Sequence, residues 1–189
     1  MSYLVVCRLN QIAETAVLYG AREMISLMAE GQDFHRPAVI GASRHLKLGV
    51  NDISGEMDGL IAPAKTHVER IIDFAESWNR SAPLVIHCWF GISRSPAAAL
   101  ITALALAPDQ EEDELAARLR SASPFVTPNP RLIAIGDEIL GRNGKLVRAV
   151  ERIGRGAETS QGQRFCLGLR AGDEIPPATP RRRNTAGEG

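Results

Sequence analysis

The stretch that most constrains this chain is Pro96-Ala97-Ala98-Ala99-Leu100-Ile101-Thr102-Ala103-Leu104-Ala105-Leu106-Ala107. It carries one polar side chain, Thr102, among strong helix formers. A helix that is apolar on every side belongs inside a core, and this one is too short to span a bilayer. Immediately upstream, Pro83-Leu84-Val85-Ile86 is a short apolar run that reads as a buried strand. Between the two lies His87-Cys88-Trp89-Phe90-Gly91-Ile92-Ser93-Arg94-Ser95. Ser95 and Pro96 suit the first turn of the helix. The predicted order is therefore strand, loop, helix N-terminus, which is an anion-binding arrangement.

The loop has the residues to use such a site. Cys88 and Arg94 are separated by five residues, whose backbone N–H groups can curl round an oxyanion as a nest. Gly91 sits mid-loop, where a tight turn calls for positive φ. Arg94 would be a cation at a helix N-terminus, which the dipole disfavours unless an anion lies beside it. Its planar fork suits two phosphate oxygens. Cys88, at the base of this positive field, is placed as a nucleophile. The alternative for Cys88 is a small buried hydrophobe after a strand, and for Ser95 a simple helix cap.

With these residues in place, the segment resembles the signature loop of the Cys-dependent protein tyrosine and dual-specificity phosphatases, His-Cys-x5-Arg-Ser/Thr. His87, Cys88, Gly91, Arg94 and Ser95 stand at its fixed positions. Similarity extends through about the first 150 residues and is nearest to small bacterial members with Gly-Ile-Ser-Arg-Ser in the loop. The resemblance implies phosphomonoester hydrolysis through a phosphocysteine on Cys88. Residues Trp89, Phe90, Gly91, Ile92, Ser93 and Arg94 would bind the phosphate, Ser95 would help the sulfur leave, and His87 would orient the loop. Such chemistry also needs a general acid. Asp52 is the first choice: it follows a predicted strand, opens an acidic loop and precedes Cys88 by 36 residues, about the separation the family shows. Asp58 is second and Glu56 third; all three also read as solvated loop acids. Trp89 and Phe90 would turn their side chains to the core or to the rim.

The expected substrate is a phosphorylated protein or a small phosphomonoester. Uncharged Trp89, Phe90, Ile92 and Ser93 count against a polyphosphorylated inositol. Two other classes compete: a phosphate- or phosphoprotein-binding module without turnover, and a Cys-loop sulfurtransferase. His35, His45 and His67 show no metal spacing, so neither metal nor organic cofactor is implied. Basic and acidic residues balance at 22 each, which gives no general attraction to nucleic acid or to a membrane. Cys7, Cys88 and Cys166 are few and widely spaced, a pattern of reducing compartments. The start of the chain lacks the marks of a secretory signal, and a cytoplasmic location is expected.

Taken in order, Tyr3 to Leu9 reads as a strand and Gln11 to Gly20 as a short helix. Glu23 to Ala29 is ambiguous by periodicity, and a strand is preferred because the resemblance places one there. Arg44 to Val50 reads as a strand, and Asp52 to Gly59 as a loop. Val68, Ile71, Ile72, Ala75 and Trp78 form one face of a helix that begins near Pro63. A further amphipathic helix is expected over Asp109 to Ser121. Another begins at Asn129-Pro130, and helix resumes after Gly144 to Ile153. The fold class is thus α/β: a central, mostly parallel sheet flanked by helices, phosphatase-like, in a single domain over 1–154. Residues 155–189, with Pro176, Pro177, Pro180 and Arg181-Arg182-Arg183, read as a flexible, disordered tail.

Overall fold

Side-chain alternation along the first strand, β1 (Tyr3–Arg8), sets the layering. Leu4 and Val6 face one layer and Tyr3, Val5 and Cys7 the other, and both sets are buried. The computed structural model describes residues 2–176. In it β1 is followed by α1 (Ile12–Leu18), β2 (Glu23–Met28), β3 (His45–Gly49), α2 (Lys65–Ser77), β4 (Leu84–Cys88), α3 (Arg94–Leu106), α4 (Glu112–Ala122), α5 (Pro130–Ile139), α6 (Lys145–Ile153) and β5 (Phe165–Gly168).

The five strands form one sheet in the order β3-β2-β4-β1-β5. The pairings of β1 with β4, β4 with β2 and β2 with β3 are parallel, while β5 runs antiparallel to β1. The fold is the expected α/β arrangement. Short α1 covers one face with Ile12, Ala16 and Tyr19. The other face carries α3, which is buried from Arg94 to Leu104 and packed among α2, α4 and α5. All-round apolarity thus does what it predicts: α3 is the middle of the core. No helix among the described residues is long and apolar enough to cross a membrane.

The ambiguous segment at Glu23 is a strand, buried along its whole length between β3 and β4. One boundary must be corrected. Residues 155–189 read as tail, yet Phe165–Gly168 is the fifth strand of the sheet. Phe165 and Leu167 enter the core beside β1, Cys166 faces the α1 layer, and Arg118 donates to the Gly168 carbonyl at 2.9 Å. A four-residue edge strand among glycines and polar residues has almost no local signal; its pairing with β1 is purely long-range. Pro177, Pro180 and the arginines at 181–183 lie outside the described residues.

Candidate active site

β4 is the central strand, and alternation places Leu84, Ile86 and Cys88 on the α3 face. Cys88 therefore ends its strand directly beneath the N-terminus of α3. The chain returns through a loop whose turn is made by Gly91 at φ +71°. A Cβ there would lie 3.0 Å from backbone atoms of Cys7 and Arg8, so glycine is required both by conformation and by space. Two groups converge on the sulfur: Gly91 N–H donates to Cys88 Sγ at 3.3 Å, and Ser95 Oγ lies 3.1 Å from it.

The loop is held from behind by its carbonyls. Leu9 N–H donates to the Trp89 carbonyl at 3.3 Å, Gly162 N–H to Phe90 at 2.9 Å, Thr127 N–H to Ile92 at 2.9 Å, and Asn129 N–H to Ser93 at 3.2 Å. All peptides in the described chain are trans, so each outward carbonyl turns the N–H of the next residue the opposite way. The N–H groups of Phe90, Gly91, Ser93 and Arg94 thereby turn toward the hollow of the loop. Trp89 and Phe90 take the rim. Their side chains are exposed and meet edge to face, with centroids 6.4 Å apart.

Arg94 opens α3 and is only 6% exposed. Its Nη1 donates to the Val50 carbonyl at 2.7 Å, and its Nε lies 3.9 Å from Asp52 Oδ2. Asp52 follows β3 and is clamped from the loop side. Its Oδ1 accepts from Ser93 Oγ at 2.7 Å and from Asn129 Nδ2 at 2.9 Å. Oδ2, facing Arg94, is left as the available oxygen. The structure thus brings Cys88, Arg94, Ser95, Ser93 and Asp52 into one cluster. It does not bring in the other two candidate acids. Glu56 pairs with Arg131 at 3.2 Å, and Asp58 makes no hydrogen bond or ion pair among the described residues.

His87, on the opposite face of β4, is fully buried. Its Nε2 lies 2.6 Å from Ser26 Oγ, which lies 2.7 Å from His45 Nε2. One hydroxyl can donate to one ring and accept from the other when both imidazoles are neutral. Burial keeps them so: it pulls His87 down to about 3 and His45 to about 4. Phe34 stands edge-on to His87 at 5.1 Å. Among the described residues no group of three or more His, Cys, Asp or Glu gathers as a metal site.

Sequence reading missed part of this machinery. Asn129 reads as a helix cap, and it is one: its Oδ1 accepts from Arg131 and Leu132 N–H at 3.1 and 3.0 Å. The other end of the same amide holds Asp52, a second use that a cap signal does not reveal. Ser26 and Gly162 carry no local signal at all.

No protein-family model matches the chain, and no curated protein matches it. Solved structures do. Human DUSP28 superposes with a TM-score of 0.57 at 17% identity, over 75% of this chain and 92% of that one. A putative dual specificity phosphatase from mouse, complexed with zinc tungstate, gives 0.54 at 20% identity, over 76% and 84%. DUSP15 gives 0.54 at 18%, over 84% and 99%. At these identities the likeness is one of architecture. The chain therefore shares the fold of the dual-specificity and protein tyrosine phosphatases.

Proposed function

We propose that the protein is a Cys-dependent phosphomonoesterase of the protein tyrosine or dual-specificity type, acting on a phosphorylated protein or a small phosphomonoester. The observation that carries this reading is the convergence of Gly91 N–H and Ser95 Oγ on Cys88 Sγ inside a loop whose other N–H groups face the same hollow. A binding module needs the hollow and Arg94, but it has no use for a sulfur at its base or for a hydroxyl beside that sulfur.

In this reading the loop N–H groups and the Arg94 fork hold the three non-bridging oxygens and stabilise their charge in the transition state. The Cys88 thiolate attacks phosphorus, so an S–P bond forms as the ester P–O bond breaks. Asp52 gives its proton to the leaving oxygen. Water then attacks the phosphocysteine; Asp52, now a carboxylate, takes the water's proton. The S–P bond breaks, and the Ser95 hydroxyl donates to the departing sulfur. Trp89 and Phe90 at the rim offer aromatic surface to whatever bears the phosphate. His87 is neutral and orients the strand end, taking no part in proton transfer.

Turnover of p-nitrophenyl phosphate against pH, with chelator and reductant, tests this in wild type, Cys88→Ser and Asp52→Asn. The expected result is a bell-shaped profile that Cys88→Ser abolishes and whose rate Asp52→Asn lowers by about 100-fold. Vanadate or phosphopeptide binding without phosphate release would replace the enzyme with the binding module. Full activity in Asp52→Asn would overturn Asp52 as the acid.

A further inference from the structure

The segment that follows α6 reaches back to the cysteine loop. The Phe90–Gly91 peptide is gripped on both sides: its carbonyl accepts from Gly162 N–H at 2.9 Å, and its own N–H donates to Cys88 Sγ at 3.3 Å. Because a trans peptide is planar, fixing the carbonyl fixes the N–H. Gly162 is the only donor to that carbonyl among the described residues. The contact is close: a Cβ on Gly162 would fall 2.6 Å from the Phe90 oxygen and 3.1 Å from the Gly91 oxygen.

The strap that carries Gly162 is tied down on either side. Upstream, Gly156 N–H donates to Thr127 Oγ1 at 3.0 Å and Ala157 N–H to the Pro124 carbonyl at 2.9 Å. Downstream, Arg164 Nη1 reaches Thr15 Oγ1 at 3.1 Å and Glu14 Oε2 at 3.2 Å, and β5 then pairs with β1. The anchors at Thr127 and Pro124 belong to the turn that also holds the Ile92 carbonyl.

We infer that residues 156–164 are a positioning strap for the nucleophile loop, and that Gly162, through the Phe90–Gly91 peptide, sets the N–H that is aimed at the Cys88 sulfur. The strap touches no reacting atom; Gly162 is a positioning residue. Its effect on turnover rests on the phosphatase reading, whereas its effect on the sulfur does not.

The test is Gly162→Ala in the full chain, with three readouts. A melting curve establishes that the variant folds. The rate of Cys88 alkylation by iodoacetamide at mildly acidic pH, read by mass spectrometry, is expected to fall by about 10-fold as the bond to sulfur is lost. With p-nitrophenyl phosphate, kcat is expected to drop by about 10- to 100-fold while KM changes much less. A folded variant whose Cys88 alkylates at the wild-type rate overturns the inference, whatever its turnover. If wild type itself fails to release phosphate, the phosphatase reading falls and the alkylation result still decides the strap. If Gly162→Ala does not fold, hydrogen exchange in wild type decides instead. The Gly162 amide must exchange at least about 100-fold more slowly than an unstructured one, and free exchange there overturns the inference.

Discussion

Asn129 and Asp52 are 77 residues apart in sequence and joined by one 2.9 Å hydrogen bond from amide nitrogen to carboxylate oxygen. The same Asn129 side chain caps α5 with its oxygen, so one residue ties the start of a helix to the candidate acid. The two roles separate by substitution. Asn129→Ser keeps a capping oxygen and removes the amide. It is expected to melt within a few degrees of wild type while kcat falls about 10-fold. Asn129→Ala should lose about 1 kcal/mol of stability as well. Equal activity in wild type and Asn129→Ser would show that Asp52 needs no such clamp.

Alkylation should find one cysteine. Burial holds the Cys7 thiol up at about 12 and the Cys166 thiol at about 11. Both are therefore protonated at neutral pH, and the thiolate is the reacting species. Iodoacetamide at pH near 7 is expected to modify Cys88 alone in the folded protein and all three cysteines after denaturation. Adducts on Cys7 or Cys166 in the native state would contradict thiols held protonated.

The His87–Ser26–His45 network makes stability depend on pH. Both histidines titrate near 6.5 when unfolded, and near 3 and 4 in the fold. Below about 6.5 the unfolded chain binds the extra protons, so stability is full above that pH and is lost as pH falls toward 4 and then 3. His87 can contribute up to about 1.4 kcal/mol per pH unit in that window; His45, only partly buried, contributes less. Wild type is expected to melt lower at pH 5 than at pH 7.5. His87→Gln should melt lower at pH 7.5 and show a flatter profile. A wild-type Tm that does not change from pH 7.5 to 5 would mean that the imidazoles are not held neutral.

Gly91→Ala meets two obstacles at once. Its φ of +71° costs an L residue roughly 1–2 kcal/mol, and the new methyl would press on the β1 backbone at 3.0 Å. The backbone there is locked in the sheet and cannot move aside cheaply. A fall in Tm of at least roughly 3 °C and near-complete loss of phosphate release are expected. A variant with wild-type Tm would show that the loop can adopt another turn.

Much of this arrangement was legible in the residues. All-round apolarity announced that α3 is buried, and the β-branched run announced β4. Cys88, Gly91, Arg94 and Ser95 sit within eight consecutive residues, so their mutual placement follows from one strand-loop-helix turn, and local geometry suffices. Asp52 could be chosen by type and separation, but its clamp could not.

What tertiary structure alone decided has one physical cause: its parts meet across long stretches of chain and leave no periodic trace. β5 is a strand because β1 offers an open edge to Phe165–Gly168, and nothing in those four residues demands it. Thr127, Asn129 and Gly162 hold the loop through backbone N–H groups, which every residue but proline possesses, so composition cannot mark them. The sequence by itself determined the strand-loop-helix turn that carries Cys88 and the layer that buries it. Only the folded chain determined which distant backbone groups aim that loop at its sulfur.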